Sequence, residues 1–397
     1  MLVNSWEACY FDFNAEKLLD LARSAKALGM EMLVLDDGWF GHRNDDTSSL
    51  GDWVCNEEKL GCSLKELSER IHAEGLEFGL WVEPEMVSPD SGLYRNHPDW
   101  ALADPDRPPM ISRRQLVLDM GREDVREYLF EALSRILREA RIEYVKWDFN
   151  RCVANAWSGV LPADRQGETA HRFMLGTYRL LEMLTQAFPD VMIEGCSGGG
   201  GRFDAGMLYY CPQIWCSDDT DAVERLEIQR GTSYGYPACT MGAHVSACPN
   251  HQTGRTVPLQ TRGVVAQAGT FGYELDPEAL TEAERETVKR QIASFHRFEK
   301  LAAGGDYYRL DEAEGDYTAW MVVSPDGGEA LVSAVATRVR ANGPFPWIRL
   351  QGLDPDRVYR REDTGERLTG AALMYGGISF PQFAGDYPAV QVYLKAE

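Results

Sequence analysis

The sequence has 397 residues, enough for two domains, and 44% of them are hydrophobic, which is ample for a buried core. Its 62 acidic residues outnumber its 40 lysines and arginines, so the formal net charge is -22. Because phosphate backbones are bound by basic surfaces, this charge argues against a nucleic-acid partner and favours a neutral ligand.

No segment of the sequence is typical of a secretion signal or of a membrane span. The first residues lack the basic and apolar regions of a signal peptide, and no run of about 18 apolar residues occurs. The nine cysteines are spread along the chain and include no C-x-x-C pair. We therefore expect a cytoplasmic protein that does not contact a membrane.

The first three quarters of the sequence repeat a pattern in which an amphipathic helix leads into a short apolar strand. Asn14 is predicted to cap the first of these helices, which ends at Gly29. Ser63 and Glu66 form a capping box for the second helix. Helices that alternate with apolar strands are typical of a parallel sheet.

Eight strands are predicted, and the clearest of them end in polar or charged residues. A long series of this kind favours a closed (β/α)8 barrel over an open sheet. We therefore predict a catalytic barrel over residues 1–305. The predicted strands are Asn4–Tyr10, Met32–Asp36, Phe78–Val82, Tyr144–Asp148, Val191–Glu194, Gln213–Ser217, Ala243–Ser246 and Phe271–Tyr273.

The end of the sequence has a different character. A last long helix is predicted to start at Asp276-Pro277-Glu278 and to stop at Gly304-Gly305. Short strands separated by turns then follow, which predicts a small antiparallel β domain over residues 306–397. The predicted strands of this domain include Ala319–Val323, Ala330–Ala336 and Val390–Leu394.

Carboxylates lie beside aromatic residues at four predicted strand ends. A sugar has apolar C–H faces that stack on indole rings and hydroxyls that carboxylates bind, so this pairing is typical of a carbohydrate site. Taken singly, each tryptophan could belong to the core and each acid could be solvated. The four segments are Asp36-Asp37-Gly38-Trp39, Trp81-Val82-Glu83-Pro84-Glu85, Trp147-Asp148 and Trp215-Cys216-Ser217-Asp218-Asp219.

Lys146, Asp148 and Asn150 alternate with apolar residues along the fourth predicted strand. Side chains two residues apart share one face of a strand, so these three polar groups can point together into a barrel lumen. A cation on the same face holds a carboxylate ionised, which suits Asp148 to the role of nucleophile or electrostatic stabiliser. The alternative is a structural ion pair between Lys146 and Asp148.

Asp218, Asp219 and Asp221 lie within four residues of one another. Crowded like charges and apolar walls raise the pKa of a carboxyl group, so one of the three is expected to hold a proton as a general acid. The residues alone do not say which one. The cluster could instead bind a hard cation, or Thr220 or Asp221 could cap the helix that starts at Ala222.

A run of four glycines between Ser197 and Arg202 follows the fifth predicted strand. Consecutive glycines allow positive φ angles and a close approach of the backbone to a ligand, and Cys196 is a small residue on the pocket floor. A phosphate loop is the alternative, but Gly-Arg does not match the Gly-Lys-Ser/Thr that it requires. The seven histidines show no zinc-binding spacing, so no catalytic metal is expected.

Six segments, in order along the chain, together resemble the α-galactosidases of glycoside hydrolase family 36. The resemblance spans nearly the whole sequence, and the number of linked motifs makes it highly specific. The segments are residues 35–41 (LDDGWFG), 79–86 (GLWVEPEM), 146–150 (KWDFN), 196–202 (CSGGGGR), 216–222 (CSDDTDA) and 241–246 (MGAHVS).

The resemblance implies a barrel followed by a β domain, hydrolysis of terminal α-galactosyl residues by double displacement with retention, and no cofactor. Its implied substrates are small-molecule α-galactosides of the melibiose and raffinose type, and it allows a homo-oligomer. Typical members carry an N-terminal β-sandwich domain ahead of the barrel, whereas the sequence given begins close to its first predicted strand.

The same resemblance assigns residues to roles, motif by motif. Asp148 falls on the position of the nucleophile and Asp218 on that of the general acid/base. Asp36 and Asp37 would bind galactose hydroxyls, including the axial one, and three tryptophans would form apolar walls. The full set of implied sugar-binding residues is Trp6, Asp36, Asp37, Trp81, Arg113, Lys146, Asn150, Cys196, Gly199 and Trp215.

Other functions would use similar residues. A related α-N-acetylgalactosaminidase or a galactosyl transferase belongs to the same class of enzyme. A galactoside-binding module without turnover and a magnesium-dependent enzyme with an acidic site belong to other classes. Turnover of an aryl α-galactoside and insensitivity to a chelator distinguish these alternatives.

Overall fold

The computed structural model of the protein describes residues 1–310, 315–343, 347–380 and 384–397. Ten strands lie in residues 1–305, and eight of them form a closed barrel. In chain order the ten strands are β1 (Leu2–Asn4), β2 (Met32–Leu35), β3 (Glu77–Val82), β4 (Met86–Val87), β5 (Leu116–Val117), β6 (Tyr144–Trp147), β7 (Met192–Gly195), β8 (Gln213–Trp215), β9 (Met241–Ser246) and β10 (Thr270–Glu274).

The barrel strands follow one another in the order β1-β10-β9-β8-β7-β6-β3-β2. From β1 to β8 the neighbouring barrel strands are parallel, with Lys146 of β6 opposite Trp81 of β3 on one side and Glu194 of β7 on the other. β4 and β5 form a separate antiparallel pair. The predicted barrel is therefore confirmed, and the carboxyl ends of its strands share one face.

Helices connect the barrel strands and cover the apolar sides of their sheet. For example, the buried Leu133 and Leu184 of two long helices line one apolar cavity together with Leu80 of β3 and Val145 of β6. The helices are α1 (Trp6–Cys9), α2 (Ala15–Leu28), α3 (Glu57–Leu60), α4 (Leu64–Ala73), α5 (Gly92–Asn96), α6 (Glu123–Glu139), α7 (Thr169–Ala187), α8 (Ser197–Gly200), α9 (Ala205–Tyr210), α10 (Ala222–Thr232), α11 (Leu259–Ala266) and α12 (Glu282–Gly304).

The predicted helix caps are present. The Asn14 side chain accepts a hydrogen bond from the Lys17 N–H at the start of α2, and Gly29 ends that helix with a φ of 102°. Ser63 accepts the N–H of Glu66 at the start of α4, which is one half of the predicted capping box. These local signals were readable because a cap depends on residues only three positions apart.

The first predicted strand, Asn4–Tyr10, is wrong in its extent. β1 ends at Asn4, and Trp6–Cys9 form the short helix α1. The Asn4 side-chain oxygen accepts the N–H of Trp6 at 2.7 Å, which turns the chain out of the extended conformation.

The start of the last long helix was also predicted wrongly. Pro277–Ala279 form only a 3-10 turn, and α12 begins at Glu282. Thr281 caps it, and Glu284 completes a reciprocal capping box. The helix begins here and not at Asp276-Pro277 because the capping box provides hydrogen-bond acceptors for two backbone N–H groups, those of Thr281 and Glu284.

The described C-terminal residues form the predicted antiparallel sheet, in which six strands follow the order β11-β12-β13-β18-β15-β16, and β14 pairs separately with β17. Its core contains the buried Met321, Val332 and Leu373. The strands are β11 (Asp306–Arg309), β12 (Tyr317–Val323), β13 (Glu329–Ala336), β14 (Trp347–Ile348), β15 (Val358–Arg361), β16 (Arg367–Thr369), β17 (Ile378–Ser379) and β18 (Ala389–Ala396).

By the density of its contacts the chain divides into two compact units. One comprises residues 1–218 with 274–279, and the other comprises residues 219–273 with 280–397. The predicted boundary after residue 305 follows the type of secondary structure instead, and it stays a prediction. Both predicted catalytic residues belong to the first unit.

Candidate active site

Asp148 lies directly after β6 and is only 6% exposed. Its Oδ1 accepts backbone hydrogen bonds from Phe149 at 2.7 Å and from Gly198 at 3.1 Å. Its Oδ2 accepts side-chain hydrogen bonds from Trp81 Nε1 at 3.2 Å and from Asn150 Nδ2 at 2.6 Å. Donors on both oxygens fix the carboxylate in place and favour its ionised form.

Lys146 and Asp36 form a buried ion pair next to Asp148. The Lys146 Nζ lies 2.8 Å from Asp36 Oδ2, and Asn4 Nδ2 donates to the same oxygen at 2.8 Å. Burial acts to lower the pKa of Lys146, but the acidic groups around it, with Asp36 the largest contributor, together outweigh this, so the pKa is raised and the ammonium group stays charged. The sequence placed this cation on the correct face, although its direct partner is Asp36 and not Asp148.

Asp218 follows β8 and has a different environment. Its Oδ1 accepts a hydrogen bond from Trp215 Nε1 at 3.0 Å, and Cys196 Sγ lies 3.9 Å from the same oxygen. Solvent reaches the Asp218 side chain, whereas Trp215 and Cys196 are buried. The carboxyl group thus lies in an opening walled by an indole ring and a thiol.

The glycine run brings the two carboxyl groups to one turn. Gly198 donates its N–H to Asp148, and the next residue, Gly199, lies against the backbone of Asp218. Gly199 has a φ of 80°, and a β-carbon there would lie 2.3 Å from the Asp218 nitrogen. A side chain at this position is therefore excluded both by the backbone conformation and by the close contact.

The pKa values of the two carboxyl groups shift in opposite directions. The residues around the Asp218 carboxyl group displace part of its water, which raises its pKa, and the negative charge of Asp148 raises it further. Burial also acts to raise the pKa of Asp148, but the charge of Lys146 and the hydrogen bonds from Gly198 and Phe149 outweigh it, so the pKa is lowered. One group is suited to attack as an anion and the other to hold a proton.

Asp37 is paired with Arg43, a residue that the sequence analysis missed. The guanidinium group donates to both oxygens of Asp37, at 2.5 and 2.7 Å, and to the Ser48 carbonyl at 2.7 Å. Arg43 is only 2% exposed. Its position in a loop six residues after Asp37 carries no periodic signal; the one available hint was that it is the first cation after the acidic pair.

Trp6 lies half-buried on α1, in an aromatic cluster with Tyr10 and Phe11, whose ring centroids are 5.1 and 5.3 Å away. Its N–H donates to Asn4, which in turn donates to Asp36. The backbone of Trp6 is thereby connected to the buried carboxylate of Asp36, and its role as an apolar wall stays a prediction.

Arg113 is the one predicted site residue that the structure does not bring into this network. It is exposed, and within the described ranges it makes no hydrogen bond or ion pair. Arg113 and Arg114 both have left-handed backbones, with φ of 52° and 57°. The loop that carries them is held at its base by Arg151, which donates to the carbonyls of Met110 and Gln115 at 2.7 and 2.6 Å.

The neighbouring acids have structural partners. Asp221 accepts the Val223 N–H and so caps α10, which confirms one of the two predicted caps. Its other oxygen lies 2.7 Å from Arg255 and 2.5 Å from the Thr253 hydroxyl. Asp219 accepts the N–H of Asp221 at 3.1 Å. These contacts favour Asp218 as the proton donor of the three.

Glu83 and Glu85 were noted in the sequence but were given no role. Glu83 is 1% exposed and accepts hydrogen bonds from the Asn150 N–H at 2.5 Å and from Gln115 Nε2 at 2.9 Å. Burial and then the charge of Asp148 raise the pKa of Glu83 to about 8. Glu85 is fully buried and forms an ion pair with Arg202.

Neither a metal site nor a membrane span is found in the described part of the chain. No group of three or more His, Cys, Asp or Glu side chains there is arranged to hold a metal ion. No described helix is both long and apolar enough to cross a bilayer.

Two family models match the chain. The model described as Melibiase matches residues 1–305, and the model described as Glycosyl hydrolase family 36 C-terminal domain matches residues 317–394.

Curated relatives match along almost the whole chain. The α-galactosidase AgaA of Geobacillus stearothermophilus is 53% identical over 397 residues, which are 100% of this chain and 54% of that protein. The bifunctional α-galactosidase/sucrose kinase AgaSK of Mediterraneibacter gnavus is 52% identical over 392 residues, which are 98% of this chain and 41% of that protein. The chain thus spans about half the length of these relatives or less.

Solved structures show the same fold. The crystal structure of the GH36 α-galactosidase AgaA from G. stearothermophilus has a TM-score of 0.98 at 53% identity and covers 100% of this chain, which in turn covers 55% of that one. Variants of that enzyme in complex with raffinose and with stachyose have the same TM-score of 0.98 at 52% identity and the same coverage.

Proposed function

Because the chain belongs to the Melibiase family and carries the C-terminal domain of glycosyl hydrolase family 36, we propose that it is a retaining α-galactosidase. It removes terminal α-galactosyl residues from small oligosaccharides of the melibiose and raffinose type. The observation that carries this proposal is the pair Asp148 and Asp218, held on one glycine turn in unlike surroundings.

Asp148 is the nucleophile in this proposal. Its ionised carboxylate attacks the anomeric carbon, and the glycosidic C–O bond breaks as Asp218 gives its proton to the leaving oxygen. The product of this step is a galactosyl ester on Asp148. In the second step Asp218, now ionised, takes a proton from water, whose oxygen attacks the anomeric carbon. The bond from that carbon to Asp148 breaks, which frees the Asp148 carboxylate and releases galactose with retained configuration.

The remaining predicted residues bind the sugar. The buried carboxylates of Asp36 and Asp37 accept hydrogen bonds from its hydroxyls, including the axial one. Lys146, Asn150 and Arg113 donate hydrogen bonds, and the lack of a large side chain at Cys196 and Gly199 leaves room for the ring. The three tryptophans, which form the apolar walls, are Trp6, Trp81 and Trp215. No cofactor takes part.

The Arg113 side chain must move before it can donate a hydrogen bond to the sugar. It is exposed and unpaired in the described chain, so its side chain is free to turn toward a bound sugar. Its left-handed backbone is a strained conformation for a residue other than glycine, which is a common property of ligand-binding loops.

The site of action and assembly are also proposals. All nine cysteines lie within the described residues and are free thiols, which supports a reducing compartment, the cytoplasm. A homo-oligomer is compatible with the family and is tested by measuring the mass of the protein in solution.

The test of the function compares hydrolysis rates of melibiose, raffinose and a nitrophenyl α-galactoside with those of the matching α-glucosides. We expect turnover of the galactosides only, with the α-anomer of galactose as the first product by NMR. Faster turnover of a nitrophenyl α-galactoside that carries a 2-acetamido group in place of the 2-hydroxyl would point to an α-N-acetylgalactosaminidase. Binding without turnover would make the chain a galactoside-binding module, and loss of activity with a chelator would indicate a metal-dependent reaction.

A further inference from the structure

Glu85 is a buried carboxylate that the proposed reaction does not use. Its Oε1 accepts hydrogen bonds from Trp147 Nε1 at 2.8 Å and from Arg202 Nη2 at 2.7 Å. Its Oε2 accepts hydrogen bonds from Arg202 Nη1 at 2.9 Å and from the Thr177 hydroxyl at 2.9 Å. The carboxylate is thus fully satisfied, and the two-pronged ion pair with Arg202 fixes the plane of the guanidinium group.

Arg202 connects this carboxylate to both chain segments that flank the nucleophile. Its remaining Nε donates to the Ser197 hydroxyl at 2.8 Å. Its guanidinium carbon lies 4.2 Å from the centroid of the Phe149 ring. Ser197 is the residue before Gly198, and Phe149 is the residue after Asp148.

These two segments provide the two backbone donors to Asp148. The N–H groups of Gly198 and Phe149 both donate to Oδ1, whereas Oδ2 receives only side-chain donors. Ser197 has a φ of 65° and Gly198 a φ of 58°. A left-handed backbone at a residue other than glycine is strained, so the turn keeps its shape only while other contacts hold it.

We propose that Glu85 and Arg202 form a positioning pair, which holds the glycine turn against β6 and thereby fixes the two backbone N–H groups on Oδ1 of Asp148. Neither residue touches the substrate. This inference rests on the proposed function, because it assigns the pair to the nucleophile of that reaction.

A looser turn has a predictable effect on the nucleophile. When the Gly198 N–H moves away, Asp148 loses a donor that stabilises its ionised form, so the pKa of Asp148 rises. Because Asp148 must be ionised to attack, the acidic limb of the kcat/KM profile then moves to higher pH. A loss of stability alone would not move this limb.

The test substitutes Arg202→Lys, which keeps the charge but removes the fork that contacts Glu85 and Ser197 together. We expect kcat/KM on a nitrophenyl α-galactoside to fall roughly 10- to 100-fold, as for a catalytic group that is slightly misplaced. The acidic limb and the pKa of Asp148, measured by carbon-13 NMR of labelled aspartate, should both rise by about half to one pH unit. Ser197→Ala should shift both in the same direction by less.

Arg361→Lys is the matched control. Arg361 is 4% exposed, donates to both oxygens of Asp363 at 3.1 and 2.7 Å, and also contacts the Ser379 carbonyl at 3.3 Å. The substitution removes a similar two-pronged contact between a buried guanidinium group and a carboxylate, in the C-terminal sheet. It should lower thermal stability and leave the acidic limb unchanged.

A folded Arg202→Lys variant in which the pKa of Asp148 does not move would overturn the positioning role. If that variant does not fold, the Ser197→Ala variant decides by the same measurement. If the wild-type protein hydrolyses no α-galactoside, the proposed function fails, whereas the NMR comparison still confirms or rejects the effect of the pair on Asp148.

Discussion

At the scale of single residues, Asp148 and Asp218 are the same amino acid in two environments. Asp148 is buried, accepts four hydrogen bonds and lies near the charge of Lys146. Asp218 accepts a hydrogen bond from the Trp215 indole, but the loss of water around its carboxyl group and the negative charge of Asp148 raise its pKa. Since the first environment favours a carboxylate and the second a carboxylic acid, the roles of the two groups cannot be exchanged without exchanging their surroundings.

The role of Asp218 predicts a dependence on the leaving group. Asp218→Ala should slow the hydrolysis of melibiose by about 100-fold or more, because the alkoxide that leaves from melibiose needs a proton. A nitrophenyl α-galactoside, whose leaving group is stable as an anion, should be slowed far less. The basic limb of the pH profile should also flatten, since the group with the raised pKa is gone.

Asp219→Ala is the matched control for this prediction. It removes a neighbouring carboxylate, which accepts the N–H of Asp221. It should slow the two substrates by the same factor. Equal slowing of both substrates by Asp218→Ala would instead reassign the acid/base role.

Glu83 predicts a pH dependence of stability. Its pKa is about 8 in the folded protein, through burial and the charge of Asp148, and about 4.3 in an unfolded chain. Between these values only the unfolded state releases the proton, so the stability contributed by Glu83 is present below about pH 4.3 and is lost as the pH rises toward 8.

Glu83→Gln should remove this loss, because the amide oxygen still accepts hydrogen bonds from Asn150 and Gln115 and never ionises. The melting temperature of the variant should exceed that of the wild type by roughly 5 °C at pH 8 and match it near pH 4. A difference that is the same at both pH values would mean that Glu83 is already ionised in the folded protein at low pH.

The sequence was sufficient to predict the site residues whose positions follow a local pattern. The alternation of polar and apolar residues over residues 145–150 predicted that Lys146, Asp148 and Asn150 share one face, and Asn150 donates a hydrogen bond to Asp148. It missed the partners that arrive from distant segments. Arg202 reaches Glu85 across 117 positions in the chain, and no periodicity connects residues at that separation.

At the scale of elements, the glycine turn after β7 lies against the backbone of Asp218 without any side chain between them. Gly199→Ala would place a β-carbon 2.3 Å from the Asp218 nitrogen, in a residue with a φ of 80°. We expect kcat/KM to fall roughly 100-fold, because Asp218 must shift to make room.

Gly61→Ala separates this contact from backbone strain. Gly61 also has a φ of 80°, and a β-carbon there would meet nothing within 4 Å. The substitution should cost about 1 kcal/mol of folding stability and leave kcat/KM unchanged. If the two variants lost activity equally, the close contact with Asp218 would not be the cause.

The first strand is shorter than predicted for a physical reason. β1 ends at Asn4 because Asn4 and Ser5 are engaged by a distant segment: Asn4 donates to Asp36 Oδ2, and the Asp36 N–H donates to the Ser5 hydroxyl. The two bonds join positions 32 and 31 apart. The apolar residues that follow therefore leave the strand, although their pattern alone is compatible with one.

At the scale of the whole molecule, the second compact unit combines barrel helices with strands of the C-terminal sheet. One buried apolar cluster in this unit contains Leu226 of α10, Val264 and Val265 of α11, and Trp320 and Val335 of β12 and β13. Since helices and sheet share this cluster, we infer that α10 and α11 depend on the sheet for their stability.

Trp320→Ala tests that dependence. Trp320 is 6% exposed, and its removal should cost about 3–5 kcal/mol of unfolding free energy. The amides of α10 and α11 should then exchange with deuterium much faster. Leu373→Ala is the matched control, since Leu373 is fully buried in the separate core of the C-terminal sheet. It should cost about 2–5 kcal/mol and speed exchange in the sheet more than in the two helices. Equal protection of α10 and α11 in both variants would show that these helices are stable without the sheet.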